Sequence, residues 1–525
     1  MKSLVAVVLG VLLAGVAAQG KEVKRGRKVS KRQENCAPRQ YGYDSVVCVC
    51  NATYCDNPGP ISSPADATQF TSVISAREGQ RFQVNTADKG TAPTDGGTII
   101  TLNRTQTRQS IIGFGGAFTD STALNVYALT APVVDQFVNT YFSEDGIKYN
   151  LCRIPIAGSD CSTRPYSYDD VEGDVDLVNW ALEPEDTDYK IPLILKAKAA
   201  SPGPLLLFGS PWSPPAWMKS NGMFNGSGYL LPEMWQPYSN YFVKFVEAYE
   251  AAGADMWGLT TQNEPLSGFD ENWGWNTCGW TAEDMRDWIK QSLGPTLEAA
   301  GMRRLMLMVD DFNRDTLPWY VQPMLEDPDC ANYVDGTAVH WYSDQWVGPE
   351  VLDETQELFP DKWLLHTEAC QGWDVGGADS VQLGSWERAQ DYVFRIIENL
   401  NHYTRGWVDW NMALDLMGGP NWANNMLDSP IIVNATADEF YKEPLFYTMG
   451  HFSKFVQPGY QYIQSSTTDG DLQTVAFQSV DSSESVLIVL NSGESVKTVS
   501  VDDGSGSYVN LDLPVKSLVT LLYKL

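Results

Sequence analysis

Over residues 108–445 short apolar runs alternate with longer amphipathic stretches, and no other feature constrains the fold of this chain so tightly. The runs are Ile111–Gly115, Tyr149–Ile154, Leu205–Phe208, Met256–Leu259, Arg304–Val309, Gly336–His340, Trp363–Leu365 and Gly406–Trp410. Each is too short for a helix and is bounded by turn-forming residues, so each reads as a buried strand. Between them, Ser239–Tyr249 sets Phe242, Phe245, Val246 and Tyr249 on one helical face. Thr281 followed three residues later by Asp284 is a capping-box start for another helix. Repeated strand–helix units favour an α/β fold, a (β/α)8 TIM barrel, over a doubly wound sheet, and no glycine-rich dinucleotide fingerprint competes. Gly113-Phe-Gly-Gly116 lacks that spacing and reads as a tight turn leading to the active face.

With 525 residues the chain exceeds what one core holds, so a second domain is expected. Residues 33–107 carry short β-prone pieces between Gly-, Pro- and Asp-containing turns, and 446–525 carry four further strand patterns. The expectation is an all-β sandwich formed by the N- and C-terminal segments beside a catalytic barrel over 108–445. Met1–Ala18 has the basic start, apolar stretch and small residues of a secretory signal peptide, ending by residue 19. Residues 20–32 form a basic stretch ending in Lys31-Arg32, read as a propeptide, with a disordered basic arm as the alternative. No later run of about 18 apolar residues predicts a membrane span.

Behind a signal peptide, Cys36, Cys48, Cys50 and Cys55 read as two local disulfides; a zinc knuckle is the alternative, disfavoured by the single-residue spacer in Cys48-Val-Cys50. Cys152, Cys161, Cys278, Cys330 and Cys370 are scattered and read mainly as buried thiols. Sequons at Asn51, Asn103, Asn225 and Asn434 predict surface glycosylation in the secretory pathway. The formal charge of -30 argues against a nucleic-acid partner.

Two glutamates carry the chemistry. Glu264, in Thr260-Thr-Gln-Asn-Glu-Pro265, and Glu368, in Leu364-Leu-His-Thr-Glu-Ala-Cys370, each follow a predicted strand. Strand ends are where a barrel builds its active site, and two carboxylates meeting in one cleft cleave glycosidic bonds. Asn263 is placed to donate to a sugar hydroxyl. The distance that separates retaining from inverting catalysis is not in the sequence. Other strand ends bring Asp120, Asp160, Trp212, His340-Trp341-Tyr342, Trp410 and Asn411. Arg153 is a candidate partner for Glu368, and His340 either meets a sugar hydroxyl or orients a carboxylate. Trp273-Gly-Trp-Asn-Thr-Cys-Gly-Trp280 makes either an aromatic rim or a packed surface loop. His366 and Glu368 alone are a poor metal set, no His-Glu-x-x-His or Gly-x-Ser-x-Gly occurs, and neither a metal nor a cofactor is expected. A secreted β-glycanase or β-xylosidase of the same fold, and a glycan- or lipid-binding protein without catalysis, are the competing readings.

Several blocks in one order add a resemblance: Tyr43–Cys55, Gly113-Phe-Gly-Gly-Ala-Phe-Thr-Asp120, Ser210-Pro-Trp-Ser-Pro-Pro-Ala-Trp217, Ala338-Val-His-Trp-Tyr342, Gly418-Gly-Pro-Asn-Trp422 and Asp428-Ser-Pro-Ile-Ile-Val433. Through them the chain resembles the glucosylceramidase group of glycoside hydrolase family 30 over nearly all of residues 36–525. The resemblance implies a barrel with a side sandwich and a two-step retaining mechanism, with Glu264 as acid/base and Glu368 as nucleophile. It also implies a glucose site at Asp160, Trp212, Asn263, Trp410 and Asn421, with His340 and Tyr342 beside it, and disulfides Cys36–Cys48 and Cys50–Cys55. The implied substrate is a β-glucosyl sphingolipid met at a membrane surface with a saposin-like activator, in the lysosome or outside the cell. Where the group commonly reads Glu-Asn-Glu-Pro, this chain has Gln262, which removes a charge near Glu264 and bears on the pH optimum.

Overall fold

The eight apolar runs become eight parallel strands that close on themselves in chain order. They are β1 (Gly113–Ala117), β2 (Leu151–Ile156), β3 (Leu206–Pro211), β4 (Gly258–Thr260), β5 (Met306–Asn313), β6 (Gly336–His340), β7 (Trp363–Glu368) and β8 (Thr404–Asn411). The structure is a computed structural model and describes residues 35–375 and 377–525. The expected signal peptide and basic segment lie outside the described residues.

Strand periodicity explains how the barrel positions a site. Leu151, Phe208, Met308, Ala338, Leu365 and Val408 form one apolar cluster. Side chains two positions apart share a strand face. The next inward layer is therefore Arg153, Ser210, His340, Thr367 and Trp410, all buried, while on β5 a register shift turns Asp310 to Thr316. An apolar plug below a mostly polar layer supports the active groups from underneath, at the C-terminal ends of the strands.

Gly113–Gly116 is not the expected turn: it is most of strand β1. Close neighbours require its glycines. A Cβ at Gly115 would stand 1.7 Å from the Leu151 carbonyl oxygen, and one at Gly116 would stand 2.7 Å from Met412. The predicted helices form as Trp235–Ala251 and Ala282–Trp288, and the Thr281 hydroxyl accepts the Asp284 amide as the capping box requires.

A nine-stranded sheet contains Gln69–Ala76, Gln83–Asp88 and Thr98–Ser110 together with six strands from Gln461–Thr467 to Ser517–Lys524. Along Glu484–Asn491, Leu487 and Val489 join a core with Ile100, Val501 and Val519, whereas Val486, Ile488 and Leu490 join the main core with the barrel helices. Ile100 and Val501 lie on strands that are not neighbours of that one, so the sheet curls over its own face as a sandwich. The N-terminal region expected over 33–107 divides. Its first part, Val47–Asn51, pairs instead with Glu439–Lys442 in a separate five-stranded sheet. Disulfides Cys36–Cys48 and Cys50–Cys55 tie this part down, and the other five cysteines are free and buried.

Candidate active site

Glu264 lies beyond the end of β4, where the backbone turns through a left-handed conformation, φ +47°. A non-glycine residue holds that conformation only when its surroundings fix it. Its amide donates to the Asp311 carbonyl at 3.0 Å, and Asp310 and Asp311 are themselves left-handed, at φ +74° and +51°. These residues interrupt the β5–β6 ladder and turn the Asp311 side chain inward to Arg153 and His340.

Glu368 ends β7 across the cavity. Arg153, fully buried on β2, bonds through Nη1 to Glu368 Oε2, and Tyr342 donates its hydroxyl to Glu368 Oε1 at 2.8 Å. Arg153 Nη2 reaches Asp311 Oδ2 at 2.7 Å and Asn263 Oδ1 at 2.8 Å, and its Nε reaches Ser210 at 3.0 Å. This bond fixes Asn263 Oδ1 on Arg153, and Asn263 lines the cavity. Carboxylate oxygens of Glu264 and Glu368, with a ring nitrogen of His340, all fall within 4.8 Å of one another. Retaining pairs stand about 5–5.5 Å apart and inverting pairs about 6.5–9.5 Å. The geometry is that of the shorter class.

His340 Nδ1 lies 3.4 Å from Glu264 and 3.9 Å from Glu368, while Nε2 lies 3.1 Å from Asp311. Burial alone would lower the imidazole pKa. The charge on Glu368 and the bonds to Asp311 and Glu264 outweigh it and raise the pKa from 6.5 to about 9. The stabilisation from this protonation is therefore complete below pH 6.5 and is lost as pH rises through about 9. Asp311 moves the other way. Burial pushes it up, but Arg153, His340 and Thr260 hold it well below the carboxylate range. For Glu264 burial dominates; the Glu368 charge adds to it, His340 and Arg153 offset it in part, and the pKa is raised. A carboxyl with a raised pKa beside a second carboxyl group held by Arg153 and Tyr342 is the arrangement glycoside cleavage uses. The three groups have the spacing of a metal set, but the Arg153 guanidinium and the Tyr342 hydroxyl already bond the Glu368 oxygens.

The cavity holds about 270 Å³ and is lined by Asp160, Trp212, Asn263, Glu264, Tyr342, Glu368 and Trp410 among others. Trp212 and Trp410 stack at 4.8 Å, and the Arg153 guanidinium lies 4.6 Å from the Trp212 ring. Asp160, pushed up to about 6 chiefly by burial, accepts from Asn425 at 2.9 Å and Asn421 at 3.0 Å. Trp273, Trp275 and Trp373 line the cavity too, whereas Trp280 packs on Trp288 in the core. The tryptophan-rich segment is thus part rim and part packing.

Three expected residues stand behind the wall. Arg153 and His340 support the carboxylates from below, and Asn421 backs Asp160 while Asn425 takes the lining position. Asp120 belongs elsewhere, in a buried group with Lys190 at 3.0 Å, and Asn411 bonds to Thr119 and Cys161. Both rings of the pair His366 and Trp407 are buried and stacked at 3.6 Å, so His366 serves packing. Sequence reasoning missed Asp311 and Asn425. The first had a signal, two adjacent aspartates closing an apolar strand run; the second sits in an irregular loop that has none.

The chain also matches known proteins in sequence and fold. Residues 111–456 match the glycosyl hydrolase family 30 TIM-barrel domain, and 461–521 match the family 30 beta sandwich domain. The chain is 42% identical over 499 residues to mouse lysosomal acid glucosylceramidase, covering 93% of this chain and 95% of that protein. It is 43% identical over 501 residues to putative glucosylceramidase 4 of Caenorhabditis elegans, covering 93% and 94%. The crystal structure of SrfJ from Salmonella typhimurium superposes with a TM-score of 0.80 at 28% identity, over 87% of this chain and 100% of that one. On its fold, its two domain matches and these relatives, the chain belongs to glycosyl hydrolase family 30.

Proposed function

We propose that this protein is a retaining β-glucosidase that hydrolyses the β-glucosyl linkage of glucosylceramide-like glycolipids by double displacement. The 4.8 Å limit on the meeting of Glu264, His340 and Glu368 carries the reading. Glu368 attacks the anomeric carbon from the face opposite the aglycone, while Glu264 gives its proton to the departing glycosidic oxygen. An ester to Glu368 then exists; water attacks the same carbon, Glu264 takes its proton, and the bond to Glu368 breaks to release glucose and the free carboxylate. Burial raises the Glu264 pKa most and the Glu368 charge adds to it; forming the ester removes the second contribution, which is the direction the switch needs. Asp160, Asn263, Asn425, Trp212 and Trp410 are the groups we assign to holding glucose, with Arg153, His340 and Asn421 supporting them.

The glycolipid assignment comes from the glucosylceramidase relatives and is supported by the mouth of the cavity. Trp373 on the lining meets Trp346, whose surface is 70% exposed, at 6.2 Å between rings. From this exposed aromatic mouth we infer contact with a lipid surface, aided by a saposin-like activator; among the described residues no helix is long and apolar enough to cross a membrane. A glycoprotein of the lysosome or the extracellular space, carrying glycans at Asn51, Asn103, Asn225 and Asn434, completes the proposal. The test is hydrolysis of glucosylceramide in anionic-lipid vesicles beside cello-oligomers, aryl β-glucosides and xylosides. We expect the glucosyl lipid and aryl glucoside to turn over with kcat/KM well above the others. Preference for xylosides or cello-oligomers would replace the glucosidase assignment with a glycanase, and no turnover would leave a binding protein.

A further inference from the structure

The acid/base turn continues where strand pairing has already stopped. The β3–β4 ladder contains Phe208 with Gly258 and Gly209 with Leu259. Beyond these pairs, the segment is tied to the end of β3 by Thr260, whose hydroxyl meets Ser210 at 2.7 Å, by the Asn263 amide, which donates to the Pro211 carbonyl at 2.9 Å, and by the side chain of Gln262. Gln262 is fully buried, and its Nε2 lies 2.8 Å from the Trp212 carbonyl, 2.9 Å from the Asn263 carbonyl and 3.2 Å from the Pro211 carbonyl. Three acceptors around one nitrogen fix which end of the amide points there; the opposite orientation would set an oxygen against three oxygens. The same amide therefore spans the backbone of a ring-stacking residue, Trp212, and of Asn263, the residue before Glu264.

We propose that Gln262 is a positioning residue whose side-chain N–H groups hold the backbone carbonyls of Trp212 and of Asn263, the residue before Glu264, together, and that its neutral amide keeps this clamp closed at any working pH. The inference rests on Glu264 being the acid/base. A carboxyl at this position can make only one such bond, and only while protonated; once ionised it presents no hydrogen to three carbonyl oxygens. The charged groups bonded to or packed on this turn are Glu264 itself, Arg153 against Asn263 and Trp212, Asp311 through the Glu264 amide, and His340 against Glu264. Only Glu264 follows Gln262 on its own segment, and none of the four bonds to the Gln262 side chain among the contacts at Nε2.

The experiment compares wild type, Gln262→Glu and Gln262→Met on an aryl β-glucoside with an acidic leaving group, whose first step, formation of the Glu368 ester, depends little on the Glu264 proton. Thermal melting confirms folding first. Gln262→Met loses about 10²-fold in kcat at every pH, the cost of a small misplacement of reacting groups. Gln262→Glu stays within about an order of magnitude of wild type at acidic pH, and its ratio to wild type falls as the new buried carboxyl ionises, by about pH 8. A ratio that stays flat with pH overturns the proposal, because a role in filling space alone does not change with ionisation; this holds even if Gln262→Met fails to fold. Wild-type turnover with an unaffected Gln262→Glu sinks this inference alone, whereas no turnover by wild type removes the β-glucosidase reading and this inference together.

Discussion

Glu368→Gly is expected to lower kcat by roughly 10⁴- to 10⁶-fold, the scale on which removal of a nucleophile acts. The change deletes the atom that bonds to carbon but keeps Glu264, its proton and the sugar-holding groups. Glycine also leaves room beside Arg153 and Tyr342, the two donors that hold the Glu368 oxygens. Azide entering that space is predicted to attack the anomeric carbon from the face opposite the β-linked aglycone. The C–N bond forms as the C–O bond breaks, the aglycone leaves as an alcohol with the Glu264 proton, and the product is α-glucosyl azide. NMR of the product reads the outcome. No azide rescue in a folded variant, or rescue to the β-azide, would take the nucleophile role away from Glu368.

Glu264→Gln brings the second large loss, about 10²- to 10⁴-fold on substrates with poor leaving groups. The amide preserves shape but has no acidic proton to give. Substrates with acidic leaving groups depart without that proton, so formation of the ester is expected to suffer far less for them than for alkyl glucosides. A single-turnover comparison across leaving groups measures this directly. Equal slowing across the series would remove Glu264 from the acid role. The variant also takes a titrating group out of the cavity, so the alkaline limb that Glu264 imposes on wild type should disappear.

The barrel was legible because each strand announces itself locally: eight apolar runs separated by longer amphipathic stretches leave few other folds. Arg153 was legible for a similar reason. A lone charge in Cys152-Arg-Ile-Pro155 is buried only if something of opposite charge meets it, and Glu368 does. The glycines of β1 misled because glycine marks both turns and close strand contacts; the Leu151 carbonyl decides between them, and it belongs to a different strand. Pairing of Asn51 with Glu439 was invisible because its two halves lie at opposite ends of the chain. Asp311 depends on two successive left-handed residues, a conformation that no local pattern prescribes for aspartate. Asn421 and Asn425 both meet Asp160, and only the path of an irregular loop decides which of them faces the sugar.

The central claim is a covalent bond between Glu368 and the sugar. A 2-deoxy-2-fluoro-β-glucoside with an acidic leaving group forms that ester quickly and hydrolyses it slowly, because fluorine destabilises the electron-poor transition state of both steps while the leaving group speeds only the first. Intact-mass measurement followed by peptide mapping is predicted to show one fluoroglucosyl group per chain, on the peptide that contains Glu368, with activity lost in proportion. The same label on Glu264, or inhibition without any covalent label, would contradict the account.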